Sequence, residues 1–128
     1  MSDLSKFSLS QTSYIRVKTP DGKVSDLEIE LYNKFTKQYE RARAATLRIG
    51  VEKLVENKRE QMDTDEVRDQ IALMLAKCTA SWKNLEWDGE QVPFSEEKAY
   101  EIYSDPGFEW LLDQVDNFVH SSRNFLGN

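Results

Sequence analysis

The sequence predicts a mainly α fold with a small N-terminal β-hairpin, an α+β arrangement of about four helices in a single domain over 1–128. Three observations carry that expectation. Apolar residues alternate with polar ones as far as Leu31, then recur every three or four positions from Phe35 onward. Asp21-Gly22 divides the alternating region in two, as a hairpin turn requires. Ser95 and Asp105-Pro106 stand where helices begin, each just after a break in the pattern.

Residues 1–12 are largely polar, with Phe7 and Leu9 as apolar points, and read as either a flexible arm or a short edge strand. The β-rich run from Ser13 to Thr19 and the run from Val24 to Leu31 form the hairpin, joined by a Pro20-Asp21-Gly22 turn. Leu27, Ile29 and Leu31 share one face and acidic residues the other, so the apolar face must lie on the helices.

A long amphipathic helix follows over 34–58. Phe35, Tyr39, Ala42, Thr46 and Ile49 lie on its apolar side, and Lys37, Arg41, Arg43 and Arg48 on its polar side. Gly50 costs about 1 kcal/mol relative to Ala there and marks either a kink or a close crossing. The polar stretch 57–63 holds a connection, and Asp63 or Thr64 caps the next helix. Val67, Ile71, Met74, Cys78, Trp82 and Leu85 then form a stripe that predicts a helix over 64–84. Asp88-Gly89 turns the chain. Ser95 caps a helix with Glu96 and Glu97 in its first turn and Ala99, Ile102 and Tyr103 on its apolar side. Asp105-Pro106 starts the last helix, which carries Phe108, Leu111, Leu112, Val115 and Val119 to about Phe125, with Gly127 as terminator.

Composition excludes several function classes. A net charge of -6 argues against affinity for phosphate backbones, and no nucleic-acid partner is expected. Three Trp, five Tyr and six Phe are too many for a disordered tail, although mean hydropathy is only -0.67. One Cys and one His make no zinc site, and Cys78 reads as a small buried thiol. The N-terminus lacks a secretory pattern, and no apolar run approaches the roughly 20 residues of a membrane span. A soluble protein of a reducing cytoplasm is expected.

Catalytic, cofactor and metal residues are expected to be absent. His120 has Ser121 and Ser122 as neighbours on one helix, and such neighbours do not converge as nucleophile and base must. Protein binding remains, with Trp82, Trp87, Phe94 and Trp110 as candidate interface residues. Trp82 and Phe108 also fall on core stripes. Trp87 and Trp110 are open to either role. The basic helix 34–58 and the acidic segments 60–69 and 86–117 have opposite signs, which suits either self-assembly or ordinary solvated faces.

The run Trp82-Lys83-Asn84-Leu85, Asp88-Gly89-Glu90, Val92-Pro93-Phe94-Ser95 and Ala99, closed by Asp105-Pro106, resembles the C-terminal half of tail assembly chaperones of long-tailed, lambda-like phages. The N-terminal half is similar in layout: Tyr14-Ile15, Val17 and Pro20-Asp21-Gly22 lead into an Ile/Leu strand and a helix holding Gln38-Tyr39 and Ala42. The likeness spans about residues 7–125.

It implies a non-enzymatic factor of the host cell cytoplasm, absent from the mature virion. Such a factor binds the tape measure protein, keeps that apolar, helix-rich chain soluble and promotes polymerisation of the major tail tube protein around it. It also implies self-association into higher-order, spiral oligomers, since head-to-tail contacts that do not close build open helices. In the family a programmed minus-one frameshift yields a longer form. Leu126-Gly127-Asn128 is compatible with a slippery site in suitable codons, which makes this chain the expected short form. The alternative is a structural minor tail or head-tail component retained in the virion.

Overall fold

Strands β1 (Thr12–Lys18) and β2 (Val24–Tyr32) form the expected antiparallel hairpin. The computed structural model describes residues 3–57 and 64–126, with side chains described over 3–48 and 66–126. The expected connection over 57–63, its cap at Asp63 or Thr64, the role of Gly50 and the terminator Gly127 lie outside what is described. At the hairpin turn Gly22 has φ +85°, a conformation strained for any residue with a Cβ, and its N–H donates to the Thr19 carbonyl at 2.8 Å. Asp21 accepts from the Thr19 hydroxyl and the Lys23 N–H, which holds its carboxyl below the usual range.

The sheet has three strands rather than two. Helix α1 (Lys37–Asn57) leads to α2 (Thr64–Lys77), and Thr79–Lys83 then returns as β3, antiparallel to β2 with Trp82 opposite Ile29. The helix expected over 64–84 therefore ends seven residues early (84 against 77). A spacing of four between Cys78 and Trp82 satisfies a strand as well as a helix, so periodicity does not separate them. Two other effects decide. Thr79 is β-branched, and the second edge of β2 has backbone groups that must be paired once Ile29 and Leu31 are fully buried. The last turn of α2 closes by the Cys78 N–H donating to Met74 and Leu75 carbonyls, and by the Thr79 hydroxyl donating to Leu75 O at 2.8 Å.

A two-residue hairpin follows, β4 (Glu86–Trp87) and β5 (Glu90–Gln91), around Asp88 at φ +51° and Gly89 at φ +81°. Positive φ at both central residues is the type I′ geometry, which matches strand twist and favours Asp-Gly. Next comes α3 (Glu96–Ser104), capped as expected by the Ser95 hydroxyl accepting from Lys98 N–H at 3.0 Å.

The last helix is shorter than expected. Asp105 accepts from Gly107 N–H at 2.9 Å and starts a 3₁₀ turn, Pro106–Phe108, before α4 (Glu109–Val119). A second 3₁₀ turn, Ser122–Phe125, follows it. Asn124 Nδ2 donates to Phe118 O at 3.0 Å, so a side chain takes a carbonyl that another helical turn would have used. The N-terminal arm is neither free nor a full strand. Leu4–Phe7 is a 3₁₀ turn, Leu9 bridges Leu126, and Ser10 N–H donates to Phe125 O at 2.7 Å.

Among the described residues four α-helices accompany the sheet. Its inner face, with Val17, Ile29, Leu31 and Trp82, packs on Ala72, Leu75 and Ala76 of α2, Ile102 and Tyr103 of α3, and Leu111, Leu112, Val115 and Val119 of α4. A hairpin alone is marginal in water, and this apolar layer is what stabilises it. The acidic outer face is paired: Glu28 with Arg16 at 3.2 Å, and Glu30 with the Thr12 and Ser81 hydroxyls. Helix α1 lies against α2, and its first turn is capped by Thr36, whose hydroxyl accepts from Tyr39 N–H at 3.2 Å. It starts at Lys37 rather than at 34, which leaves Phe35 off the stripe and exposed. No helix among the described residues is long and apolar enough to cross a membrane.

Candidate protein-binding surfaces

The four aromatic candidates fall into two groups. Trp82 is only 8% exposed, on β3 in the core. Its indole N–H donates to Val92 O at 2.8 Å, and its ring meets Phe94 edge-on at 4.9 Å. Together with Val92 N–H donating to Leu85 O at 2.8 Å, this fastens the 84–94 excursion to the sheet. Trp82 thus works as an internal anchor and has little surface to offer a partner. Phe94 is half-buried against it.

Trp87 is the opposite case. It stands 49% exposed at the tip of the β4–β5 hairpin, and its ring packs on Phe108 at 5.6 Å. Phe108 in turn meets the half-buried Trp110 at 6.2 Å. The indole is held from one side and open on the other, as an interface anchor needs. Its neighbours along the chain are acidic. Glu86, Asp88 and Glu90 flank it on the hairpin, and Asp105 and Glu109 flank Phe108, all exposed.

The groove between α1 and α2 was not legible as a site in the sequence. Tyr39 and Thr46 line one wall and Val67, Gln70, Ile71 and Met74 the other, enclosing about 250 Å³. Val67 is 44% and Ile71 36% exposed. Both belong to the stripe that predicted the helix, yet α2 presents Ala72, Leu75 and Ala76 to the core, roughly a quarter turn away. The helix has a second apolar side. Within the groove wall the Gln70 side-chain Nε2 is buried, with no hydrogen-bond partner among the described residues. Leaving such a donor unsatisfied costs about 1–3 kcal/mol. Tyr39 contributes a phenol whose pKa is raised by partial burial and then by Cys78.

His120 and Asp116 close one end of the groove. The imidazole is exposed, with Nδ1 at 2.8 Å from Asp116 O and 3.2 Å from Asp116 Oδ1. The carboxylate beside it therefore comes from its own helix, a C-terminal capping arrangement. Cys78 is fully buried, and burial pushes its thiol up to about 12, so the reactive thiolate is suppressed. Tyr103 is also fully buried, its hydroxyl 3.0 Å from Thr79 Oγ1, and burial raises its pKa too. Gln114 is a further residue whose task the sequence hid. Its amide accepts from Lys18 N–H at 2.9 Å and donates to Lys18 O at 2.7 Å, tying α4 to the end of β1 as a neighbouring strand would.

No protein-family model, curated protein or solved structure matches this chain.

Proposed function

We propose that the chain is a tail assembly chaperone of a long-tailed phage, which binds the tape measure protein and keeps it soluble while the tube protein polymerises around it. The observation that carries the reading is the α1–α2 groove: an open apolar trough on an acidic protein, its wall holding a buried amide nitrogen with no partner among the described residues. An amphipathic helix laid into such a trough covers its own apolar face. Met74 adapts to varied side chains, which suits a client whose successive segments differ. The motif over 82–99 agrees with the same reading. Its role is structural, since Trp82 and Phe94 order the joint between β3 and α3. The protein would act in the host cytoplasm, in many copies along each client.

Co-expression with a tape measure fragment tests this. A soluble complex should form with the native chain, and Ile71→Asp should abolish it while leaving the fold intact. If the fragment stays insoluble with both, or binds both equally, the reading fails. Mass spectrometry of purified virions separates the alternative: a chaperone is missing from the particle, whereas a minor tail or head-tail component is present.

A further inference from the structure

We propose that the outer edge of β1 takes up an extended, acidic segment of a partner protein as an added strand. Hydrogen-bond parity shows where that edge is open. Asn33 N–H donates to Gln11 O at 2.7 Å, and the same register runs unshifted to Arg16 opposite Glu28. Bonded and non-bonded pairs alternate along an antiparallel ladder. Ser13 and Ile15 are therefore bonded to Leu31 and Ile29, while Thr12, Tyr14 and Arg16 turn their backbone groups away from β2. Both ends of this outward row are engaged. Ser10 N–H donates to Phe125 O at 2.7 Å, and Ser10 Oγ donates to Thr12 O at 2.8 Å. At the far end the Gln114 amide holds Lys18 N–H and O. A short piece of backbone thus stands in for a neighbouring strand at one end, and a side chain at the other. Between them the N–H and C=O of Tyr14 and Arg16 have no partner among the described residues. Such a row is a template for another strand.

The span from Thr12 to Lys18 is about 20 Å, room for about five added residues. The chemistry of β1 says which residues fit. It carries Arg16 and Lys18 and no acidic residue, and both side chains are exposed. The acids that β2 brings to the outer face are already paired, Glu28 with Arg16 and Glu30 with two hydroxyls. Arg16 still keeps 59% of its side chain open in that pair. Lys83 adds another cation, its ammonium 4.7 Å from the centre of the Tyr14 ring. On a chain of net charge -6 this is a basic edge, and acidic residues of an added strand would lie beside it. On the inner face Ile15 is only half-buried, so an apolar residue between two acidic ones extends the core. Backbone bonds then supply affinity, and the alternation supplies the choice of partner. The edge and the α1–α2 groove use different residues, so neither rests on the other.

Amide chemical shifts of the intact, isotope-labelled chain, titrated with a blocked heptapeptide alternating Glu with Val, test this. The Tyr14 and Arg16 N–H signals should move downfield and their hydrogen exchange should slow. Ser13 and Ile15 should be protected throughout. Raising salt should weaken binding, and a peptide with Lys in place of Glu should lose it. Tyr14→Pro removes one outward N–H and no bond to β2, a change that edge strands tolerate. It should weaken binding about tenfold, while Tyr14→Ala binds as the native chain does. A peptide methylated on every backbone nitrogen tests the same bonds without altering the protein, and it should not bind. Ile71→Asp should bind the heptapeptide unchanged. Unmoved Tyr14 and Arg16 signals, equal binding by a folded Tyr14→Pro chain, or binding of the methylated peptide would each overturn the proposal. So would a loss on Ile71→Asp, which would place the peptide in the groove.

Discussion

At the residue scale, the buried polar groups fix what the chain can and cannot do. Cys78 and Tyr103 lie in the core, where ionising either would place a charge in an apolar surrounding. Both acids are harder to deprotonate in the folded chain than in the unfolded one. The unfolded Cys78 therefore loses its proton first, from about its ordinary value of 9.0, while the folded thiol holds its proton until about 12. Stability should be complete below pH 9 and fall between those values, with Tyr103 adding to the decline at higher pH. Denaturant unfolding followed from neutral pH to about pH 10 checks this. Cys78→Ala should flatten the early part of the decline, and an unchanged slope would assign it to other groups. Trp82 and Trp87 make the same point about aromatics. Five positions apart, one is tied by its indole N–H inside the core and the other is open at a hairpin tip.

At the element scale, a turn that sequence chemistry specifies should be sensitive where backbone geometry demands it. Gly89 has φ +81° with nothing within 4 Å of an added Cβ, so Gly89→Ala meets no clash. Its cost is conformational alone, about 1 kcal/mol. Urea unfolding should show that loss, and an unchanged midpoint would contradict the type I′ assignment. Such local signals were legible in the sequence: the β1–β2 hairpin, the Ser95 cap, the Asp105-Pro106 start and the Asp88-Gly89 turn all depend on neighbours in the chain. Contacts between distant segments were not. The second edge of β2 recruits Thr79–Lys83 into the sheet, overriding a helical stripe that a strand also satisfies. The same stripe hid the groove, because Val67 and Ile71 read as core residues until Ala72 and Leu75 are seen to occupy that side. Small residues made the core face of α2 quiet in the sequence. Nothing local marks Gln70 or Gln114, whose tasks arise only when α2 meets α1 and α4 meets β1.

At the scale of the whole molecule, the sheet and α2–α4 form one packed layer, and among the described residues the α1–α2 groove lies open beside it. Under the proposed function the groove would hold an apolar client, and that contact should tolerate salt. The most direct measurement of the central claim is light scattering from a purified tape measure segment diluted out of denaturant, with this chain titrated in. Aggregation should be suppressed in proportion to added native chain and not by Ile71→Asp. Unabated aggregation with the native chain, or equal protection by the variant, would contradict it.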